Sequence, residues 1–209
     1  MKRLFNPLFS ILMVCSLLML IGACTKEGKH YPVSQEFKDY FLFQKGSYWI
    51  YSNDSSYNVD STYIKTDPVY YSYLTGDRTK SDPSLEEYVV GFQSDILDRY
   101  LFYSSTGGQD FLEMAIGPSD NAYGMIDQLI PDSNYYLNFY PHGYLKVSPK
   151  IPSIEFNSNI FHNVLHTRYY SDSTSFNFYF AKNVGLIKID GHWANKDQSW
   201  SLMRYHVVQ

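Results

Sequence analysis

Residues 41–51 read FLFQKGSYWIY, a dense aromatic stretch broken by one glycine. Side chains on a β-strand alternate between two faces, so Tyr48 and Ile50 are expected on one face and Trp49 and Tyr51 on the other. Aromatic residues favour pleated, half-buried surfaces. The stretch therefore predicts a strand that follows the glycine, with Trp49 buried.

Short segments of the same kind recur along the chain and are separated by turn residues. Residues 57–65 alternate in the same way, and residues 105–109 (STGGQ) join two strand-like runs, which is a hairpin signal. Residues 121–130 instead predict one or two helical turns. About ten short strands with turns every ~8–12 residues are typical of a sandwich or barrel. We predict an all-β fold, a single antiparallel domain with a curved sheet or open barrel, and a β-sandwich as the alternative.

The composition also favours strands, since the 209 residues include 21 Tyr and 14 Phe. Tyrosine is amphipathic, so this content places many phenol rings at or near the surface. The formal charge is −4, and loss of Lys2 and Arg3 with a signal peptide takes it to about −6. An acidic chain without a basic run is a poor partner for nucleic acid, because phosphate neutralisation drives that binding.

The N-terminus has the parts of a secretory signal peptide. Lys2 and Arg3 precede an apolar run at residues 7–21, and two small residues follow it. That run is shorter than the ~20 residues that a membrane-spanning helix needs. We therefore expect cleavage and export.

Residues 21–24 (IGAC) resemble the lipobox of bacterial lipoproteins, which has an aliphatic residue, two small residues and an obligatory cysteine. The resemblance implies that residues 1–23 are the signal peptide and that Cys24 carries the lipid that anchors the chain to a membrane. Anchoring by two or three acyl chains is stable, because each buried CH₂ contributes about 0.8 kcal/mol. Residues 24–36 are then a lipidated tether, and residues 37–209 are the β domain.

The residue after the lipobox bears on the destination of the protein. Thr25 is not the aspartate that retains some lipoproteins in an inner membrane, so we expect the protein in the outer membrane. The sequence does not distinguish its periplasmic face from its surface face. Cys15 leaves with the signal peptide and Cys24 is acylated. The mature chain is thus expected to have no disulfide and no cysteine-bound metal.

Several further segments resemble a known group of proteins. Residues 40–51 (YFLFQKGSYWIY), followed by residues 60–61 (DS), resemble the opening of small Bacteroidota lipoproteins of unassigned function. Residues 161–165 (FHNVL), 181–188 (AKNVGLIK) and 200–205 (WSLMRY) are similar to the C-terminal half of that family. The resemblance implies an envelope location and a β fold, and it carries no catalytic residue.

No set of residues in the sequence predicts an active site. His162 and His166 have the spacing of a helical metal pair, but in a predicted strand they stand ~13 Å apart, too far to share a metal. No Gly-x-Ser-x-Gly elbow is present. We therefore expect a protein that is not an enzyme and that needs no metal or other cofactor.

Exposed aromatic residues are the candidates for a ligand surface. Consecutive tyrosines on a strand face opposite ways, so one member of each pair is expected near the surface. A tryptophan in a predicted turn is expected to be exposed as well. The candidate ligand-surface residues are Trp193, Tyr170 and Tyr136.

Two short motifs match the Asp-Ser/Thr pattern of Bacteroidota O-glycosylation sites. They are residues 60–62 (DST) and 172–174 (DST). The pattern makes Ser61 and Ser173 candidate acceptors for a glycan.

The sequence leaves three functions open. The first is an envelope-anchored, non-enzymatic lipoprotein that binds a partner protein or a glycan through an aromatic-rich β surface. The second is a lipocalin-like carrier of an apolar small molecule or lipid, which requires a dry cavity. The third is an enzyme acting on polysaccharide, which requires two convergent carboxylates or a histidine with an orienting partner.

Overall fold

The structure is a computed structural model. The chain forms two compact units, which are residues 1–30 with 74–84 and residues 31–73 with 85–209. In the first unit, the Ser84 amide donates a hydrogen bond to the Lys29 carbonyl (3.0 Å). The helix and nearly all strand residues belong to the second unit. The described residues are 28–74, 83–93, 99–106, 109–116, 122–127, 134–137, 143–171, 175–193 and 196–209.

The described elements are one short helix and fifteen strands. The helix is α1 (Gln35–Phe41), and no described helix is long and apolar enough to cross a membrane. The strands are β1 (His30–Tyr31), β2 (Tyr48–Asn53), β3 (Val59–Ile64), β4 (Val69–Leu74), β5 (Ser84–Gln93), β6 (Arg99–Thr106), β7 (Gln109–Ile116), β8 (Ala122–Asp127), β9 (Asn134–Leu137), β10 (Gly143–Val147), β11 (Ile151–Phe156), β12 (Asn159–Tyr170), β13 (Ser175–Ala181), β14 (Gly185–Trp193) and β15 (Lys196–His206).

The strands pair in one sheet, in the order β8-β7-β6-β5-β3-β2-β15-β14-β13-β12-β10-β9, with β4 beside β5 and β11 beside β12. Every pair with a described register is antiparallel. The path of strands has two ends, at β8 and β9, and forms one sheet rather than the two of a sandwich. The predicted all-β, antiparallel fold class is confirmed.

The alternation in the stretch around β2 is also confirmed. Trp49 and Tyr51 are buried, whereas Tyr48 and Ile50 are half-buried. The polar atoms of the buried rings are satisfied, because Trp49 Nε1 donates to the Val184 carbonyl (2.5 Å) and Tyr51 Oη to the Leu186 carbonyl (2.8 Å). These bonds join β2 to the start of β14 and to Val184, the residue that precedes it, across the inner face of the sheet.

Helix α1 covers part of that inner face, and the sequence reasoning does not predict it. Ser34 caps it, because its hydroxyl accepts a hydrogen bond from the Phe37 amide (3.1 Å). Phe37, Tyr40 and Phe41 have helical spacing and are all buried. Val33 is buried too, so packing begins within the segment expected to be a tether.

The prediction of helical turns at residues 121–130 is wrong. Residues 122–127 form strand β8, which pairs with β7 in a register that places Ile126 opposite Leu112. Pairing with a neighbouring strand satisfies the backbone groups of the segment, and this tertiary contact outweighs a weak local preference.

The alternation of β12 is interrupted at one point. Asn163 has φ of 52°, and the neighbouring Val164 and Leu165 are both buried. The odd-numbered residues Thr167 and Tyr169 beyond this point are buried again. The even-numbered residues at the end of β12 therefore lie on the outer face.

Candidate functional site

Two tyrosines lie together on the outer face where β10 pairs with β12. Tyr144 is directly opposite Tyr170, and their rings stack with centroids 5.4 Å apart and planes inclined by 20°. Tyr144 remains 45% exposed. The backbone of Tyr136 on β9 is in register with that of Tyr144. We call Tyr144 and Tyr170 the tyrosine row.

Two cations lie beside the tyrosine row on the same face. Lys146 and Arg168 are exposed and directly opposite each other, two residues from Tyr144 and Tyr170 respectively. The Arg168 guanidinium lies 5.6 Å from the centre of the Tyr170 ring, within cation–π distance. Neither cation forms an ion pair within the described part of the chain.

Packing beneath the surface holds these four side chains in place. Leu145 and Tyr169, their neighbours along the two strands, are buried. Gly143 allows the strands to approach, because a Cβ atom there would lie 2.6 Å from Cε2 of Tyr169 and 2.7 Å from the carbonyl oxygen of Tyr170. The tyrosine row thus rests on a closely packed pair of strands.

His166 extends the aromatic surface along β12. Its ring stacks on Tyr179 with centroids 4.6 Å apart and planes inclined by 14°. Burial lowers the pKa of His166, and the charge of Arg168 lowers it further, although the hydrogen bond to Asn177 acts in the opposite direction. The imidazole is therefore neutral near pH 7.

Ser148, His166 and Asn177 form a chain of hydrogen bonds that the sequence reasoning missed. His166 Nδ1 lies 3.0 Å from Ser148 Oγ, and His166 Nε2 lies 3.2 Å from Asn177 Oδ1. In the tautomer whose Nε2 donates to Asn177, His166 Nδ1 accepts a hydrogen bond from the Ser148 hydroxyl, which is how a base contacts a nucleophile.

The backbone around Ser148 does not complete that arrangement with an oxyanion hole. The Ser148 amide donates to the His166 carbonyl (2.9 Å) within the strand pairing. The next residue, Pro149, has no amide hydrogen. The main-chain nitrogens of Ser148 and Pro149 thus have no hydrogen available to stabilise an oxyanion.

Farther across the same face, towards β15, the surface becomes acidic. Ser199 Oγ lies 2.5 Å from a carboxylate oxygen of Asp54 and 2.5 Å from one of Asp190. Lys188 Nζ lies 3.7 Å from Asp54 and 3.4 Å from Asp190. The cationic and acidic parts of the outer face are therefore separated by at least one strand.

The candidate residues named from the sequence fall into three groups. Tyr170 lies in the tyrosine row, and the backbone of Tyr136 is in register with Tyr144 on the next strand. Tyr144, Lys146 and Arg168 are members of the site that the sequence reasoning missed. Ser61 is exposed on β3, and the backbone of Trp193 lies at the end of β14. Cys24 and Ser173 lie outside the described residues.

The two histidines considered as a metal pair lie on β12, as expected from the strand assignment. His162 is exposed, whereas His166 is half-buried against Tyr179. Within the described residues, no group of three or more histidine, cysteine or acidic side chains is arranged to hold a metal ion.

No protein-family model matches this chain, and no curated protein matches it. Among solved structures, it is similar to the crystal structure of a protein with a YmcC-like fold from Bacteroides fragilis. The two chains are 11% identical, with 80% of this chain and 98% of the other covered, and the TM-score is 0.39. A similarity at this level carries no argument about function.

Proposed function

We propose that this chain is a lipoprotein of the bacterial envelope that binds a glycan on the tyrosine row and catalyses no reaction. The observation that carries the proposal is the stacked, outward-facing pair of Tyr144 and Tyr170. The two rings stack on each other, and Tyr144 remains 45% exposed, so its ring offers an apolar surface of the kind on which the C–H face of a sugar ring packs.

The surroundings of the rings suit a sugar better than a purely apolar ligand. Lys146 and Arg168 lie beside them as hydrogen-bond donors, and Asn177 is directly opposite Arg168 on the next strand. A ligand rich in hydroxyl groups can bond to such side chains while it stacks on the tyrosines. A protein partner is the alternative occupant of the same surface.

The interior of the sheet supports this proposal over carriage of an apolar molecule. Phe43 packs on the Trp49 ring (5.2 Å between centroids), and Trp49 packs on Phe92 (5.5 Å). Phe41 of α1 packs edge-on against Phe180 (5.0 Å). In the described part of the inner face, these aromatic side chains thus pack on one another.

The absence of catalysis is a proposal that rests on the surroundings of Ser148. Its hydroxyl has the neutral His166 as a neighbour. The Ser148 amide already donates to the His166 carbonyl, and Pro149 has no amide hydrogen. A serine nucleophile without oxyanion donors lacks the largest usual contribution to acyl transfer. We therefore assign the Ser148–His166–Asn177 chain to positioning β10 against β12.

Anchoring in the outer membrane through a lipid on Cys24 is part of the same proposal. It is supported by the signal peptide and by the resemblance of residues 21–24 to a lipobox. Lipidation would hold the tyrosine row near the membrane, where polysaccharides of the cell surface or of the surroundings are concentrated.

A panel of immobilised polysaccharides tests the binding proposal. The full-length chain in detergent is expected to bind at least one member, and Tyr144→Ala is expected to lose that binding. Tyr57→Ala is the matched control, because Tyr57 is 85% exposed on a separate turn. If Tyr144→Ala binds the polysaccharide as well as Tyr57→Ala does, the binding site lies elsewhere.

A further inference from the structure

Lys146 and Arg168 are two like charges in a position that folding alone does not favour. They are direct cross-strand partners on one face, and strands in a sheet are about 4.8 Å apart. Like charges directly opposite each other destabilise a sheet. A pair of this kind on adjacent strands indicates a requirement other than stability.

Four lysines in the described part of the chain are paired with carboxylates. Lys38 pairs with Glu86 (3.2 Å), and Lys182 pairs with Asp39 (3.2 Å). The chain as a whole is acidic, so carboxylates are available in excess. Lys146 and Arg168 nonetheless have no carboxylate partner among the described residues.

We propose that these two cations bind the acidic group of the glycan, and that the ligand is therefore an anionic polysaccharide that carries carboxylate or sulfate groups. This inference rests on the proposed glycan binding at the tyrosine row. An anion between Lys146 and Arg168 removes their mutual repulsion and supplies the partner that each lacks.

The spacing of the four side chains fits one charged sugar unit. Tyr144 and Lys146 are two residues apart on β10, as are Tyr170 and Arg168 on β12, so each cation lies ~6.7 Å along the strand from its tyrosine. A sugar ring stacked on the tyrosines thus places a substituent at its edge over the cation pair.

Arg168 is suited to this task in a way that Lys146 alone is not. Its guanidinium is a planar fork that matches a carboxylate or sulfate with two parallel hydrogen bonds. The cation–π contact with Tyr170 at 5.6 Å orients that fork beside the stacking surface. Lys146 adds a second, less directional charge.

The rest of the outer face limits where an anionic chain binds. Across the sheet from Arg168, the row continues through Asn177 and Asp190 to Ser199, which contacts Asp54. Asp54 and Asp190 are only partly neutralised by Lys188, which lies 3.7 Å and 3.4 Å from them. This region therefore favours an anion less than the β10–β12 side of the face, where the tyrosine row lies.

Titration calorimetry of the full-length chain in detergent tests the inference, with a carboxylated oligogalacturonate and a neutral oligoglucan of equal length as probes. The acidic probe is expected to bind about tenfold more tightly. Lys146→Gln and Arg168→Gln are each expected to remove most of this preference. Lys45→Gln is the control with the same change of charge, because Lys45 is exposed in a turn before β2.

Added salt separates charge from stacking in the same experiment. In about 1 M salt the Debye length is ~3 Å, so the preference for the acidic probe is expected to fall while binding of the neutral probe persists. Tyr144→Ala is expected to weaken the binding of both probes.

Three outcomes would overturn the inference, and they are distinguishable. Equal affinity for both probes, unchanged in Lys146→Gln and Arg168→Gln, would refute the role of charge and leave the tyrosine row as a glycan site. Binding of neither probe, nor of a sulfated dextran, would count against the proposed function itself. Binding of a polyglutamate peptide as tightly as oligogalacturonate would identify an acidic protein segment as the ligand.

Discussion

Tyr40 of α1 donates a hydrogen bond of 2.7 Å from its hydroxyl to the main-chain carbonyl of Asn163 in β12. Tyr40 is 1% exposed, and Asn163 has a positive φ of 52°. The contact links residues 123 positions apart. It connects the helix to the strand that carries Arg168 and Tyr170 of the candidate site.

Removal of that bond is expected to reduce stability. Tyr40→Phe retains the ring packing but leaves the Asn163 carbonyl without this donor, and we expect a loss of about 1 kcal/mol or more. Urea unfolding followed by circular dichroism measures the change. Tyr57→Phe, in an exposed turn, is expected to unfold like the unmodified chain.

The same tyrosine predicts a loss of stability in alkali. Burial, together with the charges of Glu36 and Asp39, raises the pKa of Tyr40 to about 12, above its ordinary value of 10.0. Between these values the unfolded chain releases the phenol proton while the folded chain retains it, so stability falls as pH rises from about 10 to 12. If Tyr40→Phe declines equally over this range, another group is responsible.

Gly143 is predicted to be the glycine on which the candidate site depends. A Cβ atom at this position lies 2.6 Å from the Tyr169 ring, so Gly143→Ala forces β10 away from β12 and is expected to cost about 1–3 kcal/mol. Gly91→Ala is the matched control, because nothing lies within 4 Å of a Cβ atom there. Equal melting temperatures for the two variants would contradict the packing described beneath the tyrosine row.

His166 predicts a dependence of stability on pH in the mildly acidic range. Because burial lowers its pKa from the ordinary 6.5, the unfolded chain binds a proton more readily than the folded chain. The contribution is fully present above pH 6.5 and is lost as pH falls through the lowered pKa. His166→Gln is expected to flatten this part of a stability profile measured by denaturant unfolding, whereas His162→Gln, at an exposed position, is expected to leave it intact.

Lipidation is predicted to depend on Cys24 alone. Cys24→Ala removes the thiol that would receive the diacylglycerol, so incorporation of a palmitate analogue should cease and the protein should leave the membrane fraction. Cys15→Ala should be labelled normally, because that residue lies in the apolar run of the signal peptide. Continued labelling of Cys24→Ala would disprove the assignment of the anchor.

The hydrophobicity of alternate residues identifies the buried face of β2 but not that of β3, and the difference has a physical cause. In β2 the large aromatic residues Trp49 and Tyr51 are buried, as hydrophobicity suggests. In β3, Asp60 and Thr62 are buried, while Val59 is 56% exposed. The register with β2 places Asp60 opposite Tyr51, so the partner strand determines the inward face.

The candidate site illustrates a second limit of sequence reasoning. Tyr136 and Tyr170 are recognisable as members of Tyr-Tyr pairs, but Tyr144 between them is not. The contact of Tyr144 with Tyr170 requires β10 to pair with β12 rather than with the intervening β11, which instead lies beside the other half of β12. Such a non-local pairing depends on the whole sheet.

Helix α1 escapes prediction for a different reason. It has seven residues, fewer than an isolated helix needs for stability in water. Its aromatic residues are also compatible with a strand, and only burial of Phe37, Tyr40 and Phe41 against the sheet favours the helix. The Ser34 cap is the one local signal that precedes it.

The most direct test of the proposed binding site is the dissociation constant of oligogalacturonate for the full-length chain and for Tyr144→Ala, with Tyr57→Ala alongside. We predict that the unmodified chain and Tyr57→Ala bind with the same affinity, and that Tyr144→Ala binds about tenfold more weakly because the exposed ring of the stacked pair is removed. Equal affinity of Tyr144→Ala and the unmodified chain would contradict the assignment of the tyrosine row as the glycan-binding site.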